Sequence, residues 1–232
     1  MRRSQAYLLA DRDVAFLDQD DARGVRLQLE YLKAELLLRK HGVRHTVLVM
    51  GSTRVARSDR YYRLARELGR IVGRSRRAAI MTGGGPGIME AANRGAFEVG
   101  APSIGLNIDL PREQKPNRYV TPDLCLRFRY FALRKLHFLL RARAFVAFPG
   151  GYGTFDELFE TLTLVQCRKI APLPIVLVGE SYWRRAVDFD FLLAERKIDA
   201  RDTRLFRYAE SAGGIWDEIR PWLGRDREIS GL

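Results

Sequence analysis

The feature that most constrains this chain is an apolar run that breaks on glycines and restarts as a helix: Phe145-Val-Ala-Phe-Pro-Gly-Gly-Tyr-Gly-Thr-Phe-Asp-Glu157. Residues 144–148 are apolar at every position, the pattern of a strand covered on both faces and hence of a parallel sheet. Thr154 reads as the N-cap of a helix running through Leu158, Leu162 and Val165, with Glu157 at its N3 position. After Pro149, glycines at 150, 151 and 153 let the backbone pass close to a ligand, and free N–H groups at a helix start favour an anion. A carboxylate one turn in then stands beside that anion. Turns of this type also occur without ligands, and Glu at N3 is often half of a capping box.

Two further turns of the same kind strengthen the pattern. The strand Ala78-Ala-Ile-Met-Thr82 leads into Gly83-Gly84-Gly85-Pro86-Gly87 and a helical segment, Ile88 to Ala96. Small residues at 91, 92 and 96 allow that helix to pack closely on a sheet. The strand Thr46–Met50 ends in Gly51-Ser52-Thr53 before a basic loop and a helix beginning near Asp59. In a parallel sheet all such turns lie at the carboxyl edge of the strands, so the three can converge on one crevice.

Along the chain, residues 5–41 read as a helical extension, with Leu27, Leu29, Tyr31, Leu32, Leu36 and Leu37 on one apolar face and Lys40-His41-Gly42 as its end. Strand 46–50, helix 59–73, strand 78–82, helix 87–99 and strand 102–107 follow. An irregular Pro-containing stretch spans 110–123, then a short apolar segment at 124–128 and a helix over 129–142, whose Leu133, Leu136 and Leu140 suit a buried face. Strand 144–148, helix 155–167, strand 174–178, helix 182–194 and a last strand and helix near 214–222 complete the order. Alternation of this kind predicts an α/β protein: a Rossmann-like doubly wound parallel sheet with helices on both faces. It is expected to form one domain over 1–232, with an N-terminal helical extension over 1–44 and a core over 45–232, for which the resemblance given below implies nucleotide binding.

Composition narrows the chemistry. Two cysteines, Cys125 and Cys167, and three histidines, His41, His45 and His137, show neither disulfide nor metal-ligand spacing, so no metal is expected. No apolar run approaches a membrane span, and the first residues turn acidic too soon for a signal peptide, so a cytoplasmic protein with no membrane partner is expected. The net charge of +12 is almost all arginine spread along the chain, without the dense block or readout element that nucleic-acid binding needs. No nucleic-acid partner is expected. The turn Gly51-Ser52-Thr53-Arg54 is not G-x-G-x-x-G, and no acidic residue ends the following strand, which argues against a dinucleotide dehydrogenase.

Pro149-Gly-Gly-Tyr-Gly-Thr-Phe-Asp-Glu157, Gly83-Gly-Gly-Pro-Gly-Ile-Met-Glu-Ala-Ala-Asn93 and the Arg134-Lys135 pair together resemble the LONELY GUY (LOG) family, long labelled "putative lysine decarboxylases", over roughly residues 45–180. The resemblance implies a Rossmann-like fold, an assembly at least dimeric, no cofactor, and phosphoribohydrolase activity on nucleoside 5′-monophosphates. AMP or cytokinin riboside 5′-monophosphates would be cut to free base and ribose 5-phosphate. It assigns catalysis to Arg134 and Glu157. It assigns substrate binding to Gly84, Gly85, Met89 and Glu90 on one wall and to Pro149, Gly150, Gly151, Gly153 and Thr154 on the other, with Gly51, Ser52 and Lys135 completing the set. Arg129 stands where longer members commonly carry a histidine, and Phe131-Ala132-Leu133 replaces the usual residues before the catalytic arginine, so base preference is the least constrained property. A second function of the same fold, a non-catalytic nucleotide or molybdenum-cofactor carrier, has less use for a carboxylate beside a phosphate. A pyridoxal-phosphate decarboxylase would need a Schiff-base lysine, and only Lys135 lies near the crevice.

Overall fold

The computed structural model describes residues 4–111 and 115–224; the outermost parts of the terminal ranges and part of the 110–123 stretch lie outside the described residues. The elements run α1 (Val14–Leu17), α2 (Arg23–Lys40), β1 (Thr46–Met50), α3 (Arg60–Ser75), β2 (Ala79–Thr82), α4 (Ile88–Glu98), β3 (Ser103–Ile108), β4 (Cys125–Phe128) and α5 (Phe131–Leu140). They continue with β5 (Ala142–Ala147), α6 (Tyr152–Gln166), β6 (Ile175–Val178), α7 (Glu180–Ala186), α8 (Phe189–Ala194), β7 (Phe206–Ala209) and α9 (Ala212–Ile219). The seven strands form one sheet in the order β4-β3-β2-β1-β5-β6-β7, parallel throughout. It is a Rossmann-like α/β fold.

Strand alternation divides the core. Val47, Val49, Ile80, Ala144, Val146 and Val176 pack with α3, α4 and α9, while Leu48, Met50, Met81, Phe145, Ala147 and Ile175 pack with residues of α2, α5, α6 and α8. Because both faces are covered, β1 and β5 are buried at every position. The chain builds outward from β1 to β4 and then returns to lay β5 on the other side of β1. The order therefore reverses between β1 and β5, the place where α/β sheets open a crevice at the strands' carboxyl ends.

Several local expectations are corrected. The N-terminal 5–41 range is not one helix. Asp13 accepts a hydrogen bond from Phe16 N (3.0 Å) and caps the one-turn α1, Gln19 is extended, and the long helix starts only at Arg23. Aspartates that bind local backbone start new turns rather than continue old ones. Helix 182–194 splits for the same reason: Val187 is extended and Asp188 caps α8 through Phe191 N at 2.8 Å. On α2 the buried residues are Ala34 and Leu38, whereas Leu29, Leu32 and Leu36 are exposed. On α5 it is His137, Phe138 and Leu139 that are buried, while Leu133, Leu136 and Leu140 are only partly covered. Among the described residues no helix is long and apolar enough to cross a membrane, and no His, Cys, Asp and Glu group could hold a metal ion.

Candidate functional site

Adjacent strands β2, β1 and β5 deliver their turns to one place, and hydrogen bonds lace those turns together. Phe148 N donates to Met50 O (2.9 Å), Ser52 N donates to Pro149 O (2.9 Å), and Ile88 N donates to Ser52 O (3.1 Å). The backbone of Ser52 thus joins the β5 turn on one side to the start of α4 on the other. Gly87 makes that approach possible: at φ +68° it takes a backbone conformation few side chains accept, and a Cβ there would lie 2.3 Å from Ser52 O. Gly51 is buried against Ile88 in the same knot.

The β2 turn hangs from a polar network that sequence reading did not single out. Thr82 Oγ1 accepts from Gly84 N (2.9 Å) and donates to Asn93 Oδ1 (2.7 Å); Asn93 Nδ2 donates to Ser103 Oγ (2.9 Å). Asn117 Nδ2 donates to Gly84 O (3.1 Å), Gly85 O (3.0 Å) and Asn93 Oδ1 (2.9 Å). Asn93 is fully buried, and a buried amide is kept only where its bonds are made. An asparagine in the middle of the otherwise alanine-rich face of α4 was the available signal for Asn93. Asn117, in the loop after β3, gave none.

The β5 turn begins α6 earlier than expected. Gly151 is extended and serves as N-cap, so Tyr152 opens the helix, Thr154 is its third residue and Glu157 its sixth. Thr154 is therefore not the cap; glycine, which fills that position almost as well, takes it. The buried Thr154 hydroxyl folds over Gly150, where a Cβ would lie 2.1 Å from Thr154 Oγ1. Gly150 is needed for the turn itself. Gly151 and Gly153 are exposed, with nothing within 4 Å of a Cβ position, so the open rim of the turn is theirs.

Arg134 reaches this place from α5. Its Nε donates to Leu106 O (2.7 Å), its guanidinium stacks over Phe138 at 4.9 Å, and a Cβ on Gly83 would lie 2.5 Å from its Nη2. The guanidinium is thus laid against the β2 turn beside Met89, whose sulfur touches the same glycine. Burial pulls its pKa down, with Glu157 and Asp156 opposing. Glu157, 4 % exposed, is pushed up to about 7 by burial first; Lys135 and Arg134 pull it down, and Glu160 and Asp156 push it further up. Among the described residues nothing donates a hydrogen bond to that carboxylate. Arg134 and Glu157 therefore lie within each other's electrostatic reach, with Glu157 close to half-ionised at neutral pH.

Two other expected residues are occupied. Lys135 Nζ bonds Asp156 Oδ1 (2.8 Å) and faces Glu160 Oε2 at 3.3 Å, so it clasps α5 to α6. Glu90 Oε1 accepts from Arg57 Nη2 (2.8 Å) and the Tyr62 hydroxyl (2.9 Å). Two open clefts, of about 510 and 540 Å³, lie away from the knot: one along the outer side of α6, the other at the opposite edge of the sheet. At the knot itself Arg134 lies against Gly83 of the β2 turn, while Gly151 and Gly153 of the β5 turn stay exposed.

Known proteins resemble this chain in sequence and in fold. The family model described as "possible lysine decarboxylase" matches residues 89–219. The chain is 28 % identical over 162 residues to cytokinin riboside 5′-monophosphate phosphoribohydrolase LOG1 of Arabidopsis thaliana, covering 67 % of this chain and 74 % of that one. It is 32 % identical over 102 residues to the probable phosphoribohydrolase LOGL3 of Oryza sativa subsp. japonica, covering 43 % and 48 %. Among solved structures, the structural-genomics target TM1055 superposes with a TM-score of 0.58 at 22 % identity, over 76 % of this chain and 99 % of that one. The molybdenum cofactor carrier protein of Chlamydomonas reinhardtii superposes at 0.54, also at 22 % identity, over 78 % and 99 %. At that identity the structural matches establish the shared fold alone.

Proposed function

The chain belongs to the LONELY GUY family, whose model bears the description "possible lysine decarboxylase", and from that premise we propose that it hydrolyses the N-glycosidic bond of nucleoside 5′-monophosphates, AMP or cytokinin riboside 5′-monophosphates. The observation that carries the proposal is a buried, pKa-raised Glu157 within the electrostatic reach of Arg134, beside three interlaced glycine turns.

The exposed rim of the β5 turn, Gly151 and Gly153 at the start of α6, receives the 5′-phosphate through backbone N–H groups and the helix dipole. Pro149, Gly150 and Thr154 shape that rim; Gly51 and Ser52 hold it to the other wall, formed by Gly84, Gly85, Met89 and Glu90. Anchoring the phosphate fixes C1′ near Glu157, and that remote binding energy positions the reacting atoms. As the C1′–N bond breaks, positive charge builds on the ribose and negative charge on the base. Ionised Glu157 stabilises the first and takes a proton from the water whose oxygen bonds C1′; Arg134 offsets the second, and the departing base takes a proton from solvent while Glu157 returns its own to solvent, restoring the carboxylate. Lys135 holds Asp156 and Glu160, the acids that add to the burial raising Glu157, and itself pulls Glu157 down.

Decarboxylation through pyridoxal phosphate does not fit. A Schiff-base lysine works by a lowered pKa, whereas that of Lys135 is raised: burial works to lower it, and Asp156, Glu160 and Glu157 outweigh burial. Self-association fits the apolar outer side of α6, where Tyr152 is 96 % and Phe159 38 % exposed, and a cytoplasmic location suits a nucleotide substrate. The test is release of free base from AMP, other nucleoside 5′-monophosphates and the matching nucleosides. Release from nucleotides alone is expected; release from none would favour the carrier function.

A further inference from the structure

The opposite edge of the sheet holds a cleft of about 540 Å³, the size of small-molecule sites, formed where α2, α3 and α4 return to the amino ends of β1, β2 and β3. Three guanidinium-bearing residues line it, Arg44, Arg76 and Arg77, over an apolar floor that includes Val43 and Ala101, and no aspartate or glutamate is among its lining residues. His41 on the rim faces Asp123 at 3.9 Å. Among the described residues none of the three arginines is paired with a carboxylate. Elsewhere the chain quenches such groups: Arg66, Arg70 and Arg94 all converge on Glu98.

Three helices end here, and basic residues commonly neutralise helix carboxyl ends. The magnitudes do not balance. Each end carries roughly half a negative charge, about −1.5 in total, against three full positive charges. The surplus, in a concave site with an apolar floor, suits an anion that brings its own hydrophobic surface. We infer that this amino-edge cleft binds a phosphorylated small molecule of nucleotide size, with its phosphates on Arg44, Arg76 and Arg77 and its organic part on Val43 and Ala101. The site is separate from the glycine turns, which lie at the other end of the same strands, and its occupancy does not depend on what those turns do.

The test is calorimetric titration of the full chain with inorganic pyrophosphate and with ADP, comparing the parent, the triple variant Arg44→Gln/Arg76→Gln/Arg77→Gln and the carboxyl-edge variant Arg134→Gln. Loss of three charge-assisted contacts should weaken binding at least about tenfold in the triple variant, while Arg134→Gln retains that binding component. ADP should bind more tightly than pyrophosphate, through the apolar floor. Should the triple variant melt early, Arg76→Gln and Arg77→Gln singly supply the same comparison. Equal binding by the triple variant, or no binding by the parent, overturns the inference. A single-stranded oligonucleotide that binds through these arginines while pyrophosphate and ADP do not would overturn it in favour of a nucleic-acid backbone.

Discussion

Glu98 and Glu157 are both glutamates on helices of one fold, and their surroundings drive them in opposite directions. Burial raises Glu98 too, but Arg66, Arg94 and Arg70 outweigh it and bring its pKa to about 2. Glu157 sits deeper, receives no hydrogen bond from described residues, and is lifted to about 7. The first arrangement keeps a charge permanently on and clamps α3 to α4. The second leaves a carboxylate that changes state at neutral pH, which serves proton transfer and works against stability.

The largest break in that contrast is Glu157→Gln. Base release should fall roughly 10²–10⁴-fold, the range for a positioned acid/base group. Stability should move the other way. A carboxyl whose folded pKa lies above its unfolded value loses stability as pH rises from about 4.5 to about 7. Removing that burden should stabilise the variant above pH 7 by up to about 3 kcal/mol, seen as a higher Tm at pH 8 than the parent's. A lower Tm with unchanged kcat would leave Glu157 as a structural residue.

His137 offers the next effect. Fully buried between Tyr31 and Phe128, its pKa is lowered to about 4, chiefly by burial. The unfolded chain therefore binds more protons between about pH 6.5 and 4, and the fold should lose up to about 3 kcal/mol across that window. Glu157 opposes this slope in the parent, so Glu157→Gln should show a steeper loss of Tm on acidification. Arg134→Gln should reduce kcat/KM roughly tenfold to a hundredfold, the worth of one charge-assisted contact.

Smaller effects separate clamp from rim. Glu98→Gln should lower stability by about 1 kcal/mol at pH 7, the scale of a partly exposed ionic network, and leave base release unchanged. Its contribution is present above pH 4.5 and fades toward pH 2, so parent and variant melts should converge on acidification. Gly151→Ala has open space and an ordinary φ of −98°, so its unfolding free energy should stay within about 0.5 kcal/mol of the parent's. A raised KM for nucleotide in that variant would mark the rim as the phosphate seat.

Much of this was legible in the sequence. Apolar runs at 46–50 and 78–82, each followed by glycines, sufficed for the parallel sheet and for turns at one edge, because burial on both faces leaves few other choices. Arg134 and Glu157 stood out as motif positions, and the fold lays the first against the β2 turn and buries the second. What escaped was set by contacts distant in sequence. Gly151 rather than Thr154 caps α6, and the Thr154 side chain lies where only a residue without a Cβ fits at position 150. Asn117 reaches back 33 residues to Gly84, and no local pattern announces it. Leu29, Leu32 and Leu36 share the hydropathy of buried leucines, yet α2 turns them outward because its inner face is the one bearing Ala34 and Leu38.

The pH dependence of base release from AMP tests the central claim most directly. With Glu157 active as the ionised form, kcat/KM should climb about tenfold per pH unit below its pKa and level off above about 7. Glu157→Gln should flatten that limb as well as lower it. A parent profile that is level from pH 5 to 9, or one whose rising limb survives in the Gln variant, would contradict the assignment of Glu157 as the group that activates water.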